Sequence, residues 1–167
     1  MISIDAAGPG DVPLILDLIR ELAEYERLSH AVTATEEDLR QTLFGPQAYA
    51  HTLIARLGGQ PAGFAVYFFN YSTFLGRPGL YLEDLYVRPA ARRRGVGRRL
   101  LAQLAGIALE RRCGRMEWAV LDWNERAIAF YVSLGASPND EWTTYRLSSE
   151  ALRRLAAAPD RDGRAGG

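Results

Sequence analysis

Apolar positions change period along the chain, and each change marks an element. Residues 1–7, MISIDAA, alternate apolar and polar side chains and predict a first strand. The period then lengthens: Leu14, Ile15, Leu18, Ile19 and Leu22 share one helical stripe, with Asp11 placed to cap it and Pro13 in the first turn. Thr35 and Asp38 have the spacing of a capping box and predict a second, shorter helix. AHTLIAR (50–56) and PAGFAVYFFNY (61–71) read as the strands of a hairpin across LGGQ. Gly76, Pro78 and Gly79 make a loop of residues 72–79, and LYLEDLYV (80–87) is the third strand of this meander. Leu100, Leu101, Leu104, Ala105, Ala108 and Leu109 recur at helical spacing, with Gly114 as the expected stop after Arg111 and Arg112. RMEWAVLD (115–122) is a strand. A helix capped by Asn124 runs to about Ser133 and ends at Gly135. EWTTYRL (141–147) is a last strand, and Ser149 caps a short final helix.

This order, β-α-α-β-β-β-α-β-α-β, sets hairpins beside a β-α-β unit. It predicts the α/β (α+β) class, with a mixed sheet and helices on both faces. The 167 residues suit one domain with a sizeable core, over 1–156. The small, charged, glycine-rich end, 157–167, is expected to be a flexible tail.

Composition removes several classes of function. Basic and acidic side chains balance at 20 each, and a neutral chain lacks the broad basic face that nucleic-acid binding needs. All 20 basic residues are arginine. Cys113 is the one cysteine, so it can form no internal disulfide, and its surroundings lack metal-ligand spacing; no metal is expected. No run approaches the ~18 apolar residues of a membrane span. A reducing cytoplasm fits best. His30 and His51 have no evident partner and read as surface or structural residues.

Between the third strand and the next helix lies VRPAARRRGVGRRL (87–100). A helix's first turn leaves backbone N–H groups unpaired, and its dipole is positive there. Glycine lets an anion approach the backbone closely. Arg92, Arg93, Arg94, Gly95, Val96, Gly97, Arg98 and Arg99 therefore describe a phosphate or pyrophosphate cradle with a guanidinium rim. A nucleoside-triphosphate loop needs a lysine, and this chain has none. A dinucleotide fingerprint needs a third glycine where Leu100 stands. The spelling R-x-x-G-x-G fits coenzyme A, with the pyrophosphate on the loop. The bland alternative is a solvated arginine run beside a helix start.

Two further stretches carry candidate chemistry. In LDWNERAIAFYVSLGA (121–136), Tyr131 is either a core residue or a hydroxyl facing a leaving group. A phenol of pKa ~10 can hydrogen-bond or protonate a departing thiolate of pKa ~8.5. In LYLEDLYV, Glu83 and Asp84 stand mid-strand, where acids are depleted, and alternation puts them on opposite faces. Glu83 is the candidate to draw in an amine and take its proton, unless it is a solvated strand carboxylate. Asp84 is read as structural.

R-x-x-G-x-G after a strand, with N-E-x-x-x-x-F-Y-x-x-x-G-A downstream, resembles the GNAT superfamily of acetyl-CoA-dependent N-acetyltransferases. The stretches LIRELAEYE (18–26) and GFAVYFFNYSTFLGRPGLYLEDLYV (63–87) make the resemblance closest to the spermidine/spermine and thialysine acetyltransferase branch. The resemblance implies a GNAT-type, largely antiparallel sheet and acetyl-CoA as co-substrate. It implies backbone contacts to the pantetheine arm from Leu85, Tyr86 and Val87, a cradle from Arg93 to Arg98, and a further coenzyme contact at Asn124, Glu125, Arg126 and Ala127. Tyr131 matches the general acid, Glu83 the residue at the acceptor amine, and Tyr25 and Glu26 the lining of the amine site. A homodimer is implied too. Arg93 stands where the family often has glycine, and ASPNDEWTTYRL lacks the glutamates of polyamine binders. The acceptor is thus a diamine, a thialysine-like amino acid or another small primary amine. The alternatives are a protein or peptide acetyltransferase and a non-catalytic acyl-CoA-binding module.

Overall fold

The computed structural model describes residues 1–157. Its elements are β1 (Ile2–Ala6), α1 (Val12–Tyr25), α2 (Glu36–Phe44), β2 (His51–Leu57), β3 (Gln60–Ser72), β4 (Arg77–Val87), α3 (Val96–Glu110), β5 (Met116–Trp118), α4 (Glu125–Ser133) and α5 (Ser149–Ala156). They fall into two compact units, Met1–Asn124 and a second that begins at Glu125. Of the expected tail, residues 158–167 lie outside the described residues.

In the first unit five strands form one sheet in the order β1-β2-β3-β4-β5. The first four are antiparallel and β5 runs parallel to β4. The expected mixed, largely antiparallel sheet is what forms. On one face Ile15, Leu18 and Leu22 of α1 pack with Ile54, Phe64, Val66 and Tyr86, while Leu39, Leu43 and Phe44 of α2 close the edge. The alternate strand positions Leu53, Ala55, Ala65, Leu80 and Leu82 are buried on the other face, which Val96, Leu100 and Leu104 of α3 cover.

Local chemistry explains most boundaries and corrects several expectations. Thr35 Oγ1 accepts from the Asp38 amide at 3.2 Å, and Asp38 accepts from the Thr35 amide at 2.9 Å, the reciprocal capping box. Asp11 does precede α1, but its carboxylate does not cap it. It accepts from the Gly8 amide at 2.9 Å and pairs with Arg56 instead. The α3 stripe holds at Leu100, Leu101, Leu104 and Ala108, whereas Ala105 and Leu109 are exposed. At 100° per residue, Leu109 falls roughly 180° from Leu100. The stop of α3 is Arg112, at φ 56°, and not Gly114, which packs against Leu75.

The strand expected over 115–122 shrinks to Met116–Trp118. The last strand expected, EWTTYRL, is absent from the described structure, so α4 is followed by α5. Every side chain from 141 to 147 is exposed. Alternation without a buried face or a ladder partner does not hold a strand. In the second unit α4 ends as expected at Gly135, φ 91°, with the Ala136 amide donating to Tyr131 O at 3.2 Å. The cap of α5 is Ser148, whose Oγ accepts from the Ala151 amide at 3.4 Å, one residue before the expected Ser149.

Candidate functional site

The site in the first unit starts from an irregularity in β4. Its register with β3 pairs Tyr81 with Phe68 and Leu82 with Tyr67, then Asp84 with Val66 and Tyr86 with Phe64. Glu83 is left over: it is the extra residue of a β-bulge. The bulge reverses the alternation, so Tyr81, Asp84 and Tyr86 share the α1 face. The expected opposition of Glu83 and Asp84 is therefore lost. Glu83 is exposed and Asp84 half-buried. Burial first, and then the charges of Glu83 and Glu26, together raise the Asp84 carboxyl from 3.8 to about 6. Burial raises Glu26 as well. One structural irregularity thus brings three carboxyl groups into electrostatic contact.

Beyond the bulge β4 has an open edge. Pairing with β5 stops at Leu82 opposite Trp118, while β4 continues to Val87. Leu85, Tyr86 and Val87 are held on their other side by Ala65, Phe64 and Gly63. Among the described residues no strand pairs with their outward edge. Arg88 fixes the strand end: its guanidinium donates to Glu21 of α1 at 2.7 Å and to the Pro61 carbonyl at 3.2 Å.

The cradle follows. Arg93 and Gly95 both have left-handed backbone, φ 62° and 84°, with Arg94 between them. Such alternation turns successive N–H groups to one side, next to the unpaired amides of the first turn of α3. A Cβ on Gly95 would meet nothing within 4 Å, so glycine is needed there for φ and leaves the approach clear. Arg93, Arg94, Arg98 and Arg99 are exposed around it. These residues fit a diphosphate: bare amides, a helix N-terminus and guanidinium charge.

Arg92 does not join the rim. Its Nε donates to the Val87 carbonyl at 2.9 Å and its guanidinium lies 4.9 Å from the Tyr25 ring centre. Tyr25, at the end of α1, donates to Asn124 Oδ1 at 3.3 Å. Asn124 is only 8% exposed, which makes it one of the few buried polar side chains.

In the second unit, Glu125, Arg126 and Ala127 form the first turn of α4. Tyr131 is half-buried one helical turn further on, its ring 5.6 Å from that of Phe130.

The profile of the "Acetyltransferase (GNAT) family" matches residues 15–136 of the chain. This protein belongs to that family. Similar to it is the thialysine N-epsilon-acetyltransferase of Bos taurus, 42% identical across 93% of this chain and 97% of the relative. The L-ornithine N5-acetyltransferase of Arabidopsis thaliana is 32% identical over 91% of this chain and 86% of its own. Among solved structures, an integron cassette protein of V. cholerae superimposes with a TM-score of 0.79 at 27% identity, covering 94% of this chain and 98% of its own.

In this acetyltransferase the arginine-glycine loop follows β4 and the two acids stand in it as the sequence spells them, and the bulge at Glu83 was not expected. Asp84, read as structural, is the carboxyl most displaced from its ordinary range. The available signal was two adjacent acids inside an otherwise alternating strand. The inward turn of Arg92 had no signal at all, because it depends on rings contributed by α1 and β4. Among the described residues no helix is long and apolar enough to cross a membrane, and no group of three His, Cys, Asp or Glu could hold a metal ion.

Proposed function

We propose that this acetyltransferase moves an acetyl group from acetyl-CoA to the primary amine of a small molecule. Acetyl-CoA is the co-substrate its family uses, and the two curated relatives are named for small amino acids that carry a terminal amine. A thialysine-like amino acid is thus the first acceptor class to test. The observation that carries the reading is the bulge at Glu83, which sets carboxylates where the open edge of β4 leads on to the cradle.

The chain's residues divide the work. Glu26, Glu83 and Asp84 draw in an ammonium ion, and Glu83 accepts its proton, since only the neutral amine is a nucleophile. Amides of Arg93 to Arg98 grip the diphosphate, with a further coenzyme contact from Asn124 to Ala127. The open peptide groups of Leu85 to Val87 align the pantetheine arm, as a strand partner would. Acetyl-CoA supplies a thioester carbonyl that is already activated. A bulge amide released from its ladder can hydrogen-bond the oxygen as charge develops there. Tyr131 is the general acid toward the thiolate.

The motif N-E-x-x-x-x-F-Y supports the last assignment. A homodimer acting in the cytoplasm completes the reading, supported by the branch resemblance and the unpaired Cys113. Sedimentation of the purified chain tests the oligomer.

Thiol release measured over a panel of small amines, basic amino acids and lysine peptides tests the acceptor. Turnover with basic amino acids is expected, and turnover with peptides alone would move the protein to another substrate class. Tyr131→Phe should keep acetyl-CoA affinity and lower kcat by about 10²-fold or more. An unchanged kcat removes the general-acid role.

A further inference from the structure

Arg92 opens the R-x-x-G-x-G run, and its place in the sequence sends it to a phosphate. Its place in the structure is different. It is half-buried, whereas Arg93, Arg94, Arg98 and Arg99 are exposed. Its Nε edge is committed to the Val87 carbonyl at 2.9 Å, the last carbonyl of β4. Its guanidinium carbon lies 4.9 Å from the centre of the Tyr25 ring and 5.8 Å from that of Tyr86.

Tyr25 is fixed in turn. Its hydroxyl donates to the buried Asn124 at 3.3 Å, and its ring stands 6.3 Å from Trp123. Arg27, just past α1, caps that Trp123 ring at 4.9 Å. An unbroken series of contacts therefore joins the end of β4 and the start of the cradle to the last turn of α1, which Glu26 follows.

We infer that Arg92 is a positioning residue: it holds the coenzyme cradle and the amine-side end of α1 in one register, and it is not a phosphate ligand. The inference rests on the acetyl-CoA reading above and refines it. The chemistry favours arginine specifically. A planar guanidinium can donate along its edge to a carbonyl while its face lies on aromatic rings. An ammonium group can meet one of these demands at a time. A phosphate ligand, by contrast, carries its charge into binding, so its loss flattens the salt dependence.

The full chain carrying Arg92→Lys, Arg92→Met, Tyr25→Leu or the Arg92→Met/Tyr25→Leu pair is titrated with coenzyme A in a calorimeter at low and high salt. Each variant's far-ultraviolet spectrum and melting curve are recorded alongside. Arg92→Lys and Arg92→Met should weaken coenzyme A by a similar factor, about tenfold. The salt dependence of binding should remain that of the parent. The pair should be no weaker than the worse single variant, because both remove the same contact.

Steady-state kinetics give a second readout. KM for acetyl-CoA and KM for the best acceptor in the amine panel should rise together, with kcat at saturation kept within about threefold. The inference is overturned if Arg92→Lys restores parental affinity, if losing Arg92 flattens the salt dependence, or if the two losses multiply. Should Arg92→Met not fold, Arg92→Lys and Tyr25→Leu still decide through lysine rescue and the joint rise in KM. Absence of coenzyme A heat from the parent chain would instead defeat the acetyl-CoA reading itself.

Discussion

At the residue scale, two side chains stand in environments that oppose their ordinary preferences. Asp84 is an acid raised to about 6 by burial and by neighbouring acids. A carboxyl whose folded pKa lies above its unfolded value takes up protons on folding between the two. Its effect on stability is therefore absent below about pH 4 and grows as a penalty up to about pH 6, where it levels off. A shift from 3.8 to about 6 corresponds at most to roughly 3 kcal/mol, and partial solvent access reduces it to about 1–2 kcal/mol. Asp84→Asn should thus raise stability at pH 7 by that amount and flatten the profile from pH 4 to 6, as urea melts across pH will show. A profile with the parent's slope would deny the shift.

Arg93 is the other case. At φ 62° it holds a backbone conformation that costs an L-residue about 1–2 kcal/mol. Glycine recovers that strain but adds about 0.5–1 kcal/mol of unfolded-state entropy. Arg93→Gly should therefore stabilise the chain by about 0.5 kcal/mol net, whereas Arg93→Ala removes the same charge and keeps the strain. A difference in melting temperature between these two variants isolates the backbone contribution.

At the element scale, the site depends on how β3 lies against β4. Gly63 pairs with Val87 at the strand end where the cradle begins. A Cβ there would stand 2.3 Å from the Tyr86 carbonyl oxygen, and that neighbour is backbone, which cannot rotate away. Gly63→Ala must push the strands apart at the open edge. A loss of at least about 2 kcal/mol is expected, with weakened coenzyme A binding, measured by chemical denaturation and calorimetry. The run PAGFAVYFFNY beyond the LGGQ turn signal announced β3, and the short Cβ-to-backbone approach at Gly63 was invisible in it. β5 shows the converse. Its apolar letters run to Leu121, yet only three residues pair, and that early divergence is what leaves Leu85 to Val87 open.

At the scale of the whole molecule, coenzyme A should act as a fold stabiliser. A ligand at a hundred times its Kd adds about 2.7 kcal/mol to a native state that alone binds it. Saturating acetyl-CoA should raise the melting temperature. Amide exchange should slow most at 83–87 and 92–99, with little change at the far hairpin turn around Gly58 and Gly59. Protection centred elsewhere would place the coenzyme elsewhere.

The sequence by itself determined the elements that arise from local chemistry. The capping box at Thr35, the 3.6-residue stripes of α1 and α3 and the LGGQ turn between β2 and β3 are set by neighbours a few positions away. It also determined the inventory of the loop, because bare amides and guanidinium groups are a matter of residue type. Only the tertiary structure decided which side chains act together. The bulge at Glu83 exists through the register against β3, and it turns Asp84 to the α1 face. Arg92 faces inward because the rings of Tyr25 and Tyr86, far apart in sequence, meet at its guanidinium. The expected strand EWTTYRL has the right letters, yet its side chains are all exposed and it forms no strand in the described structure. Period and residue type are local quantities; register, burial and ring stacking come into being when distant segments meet.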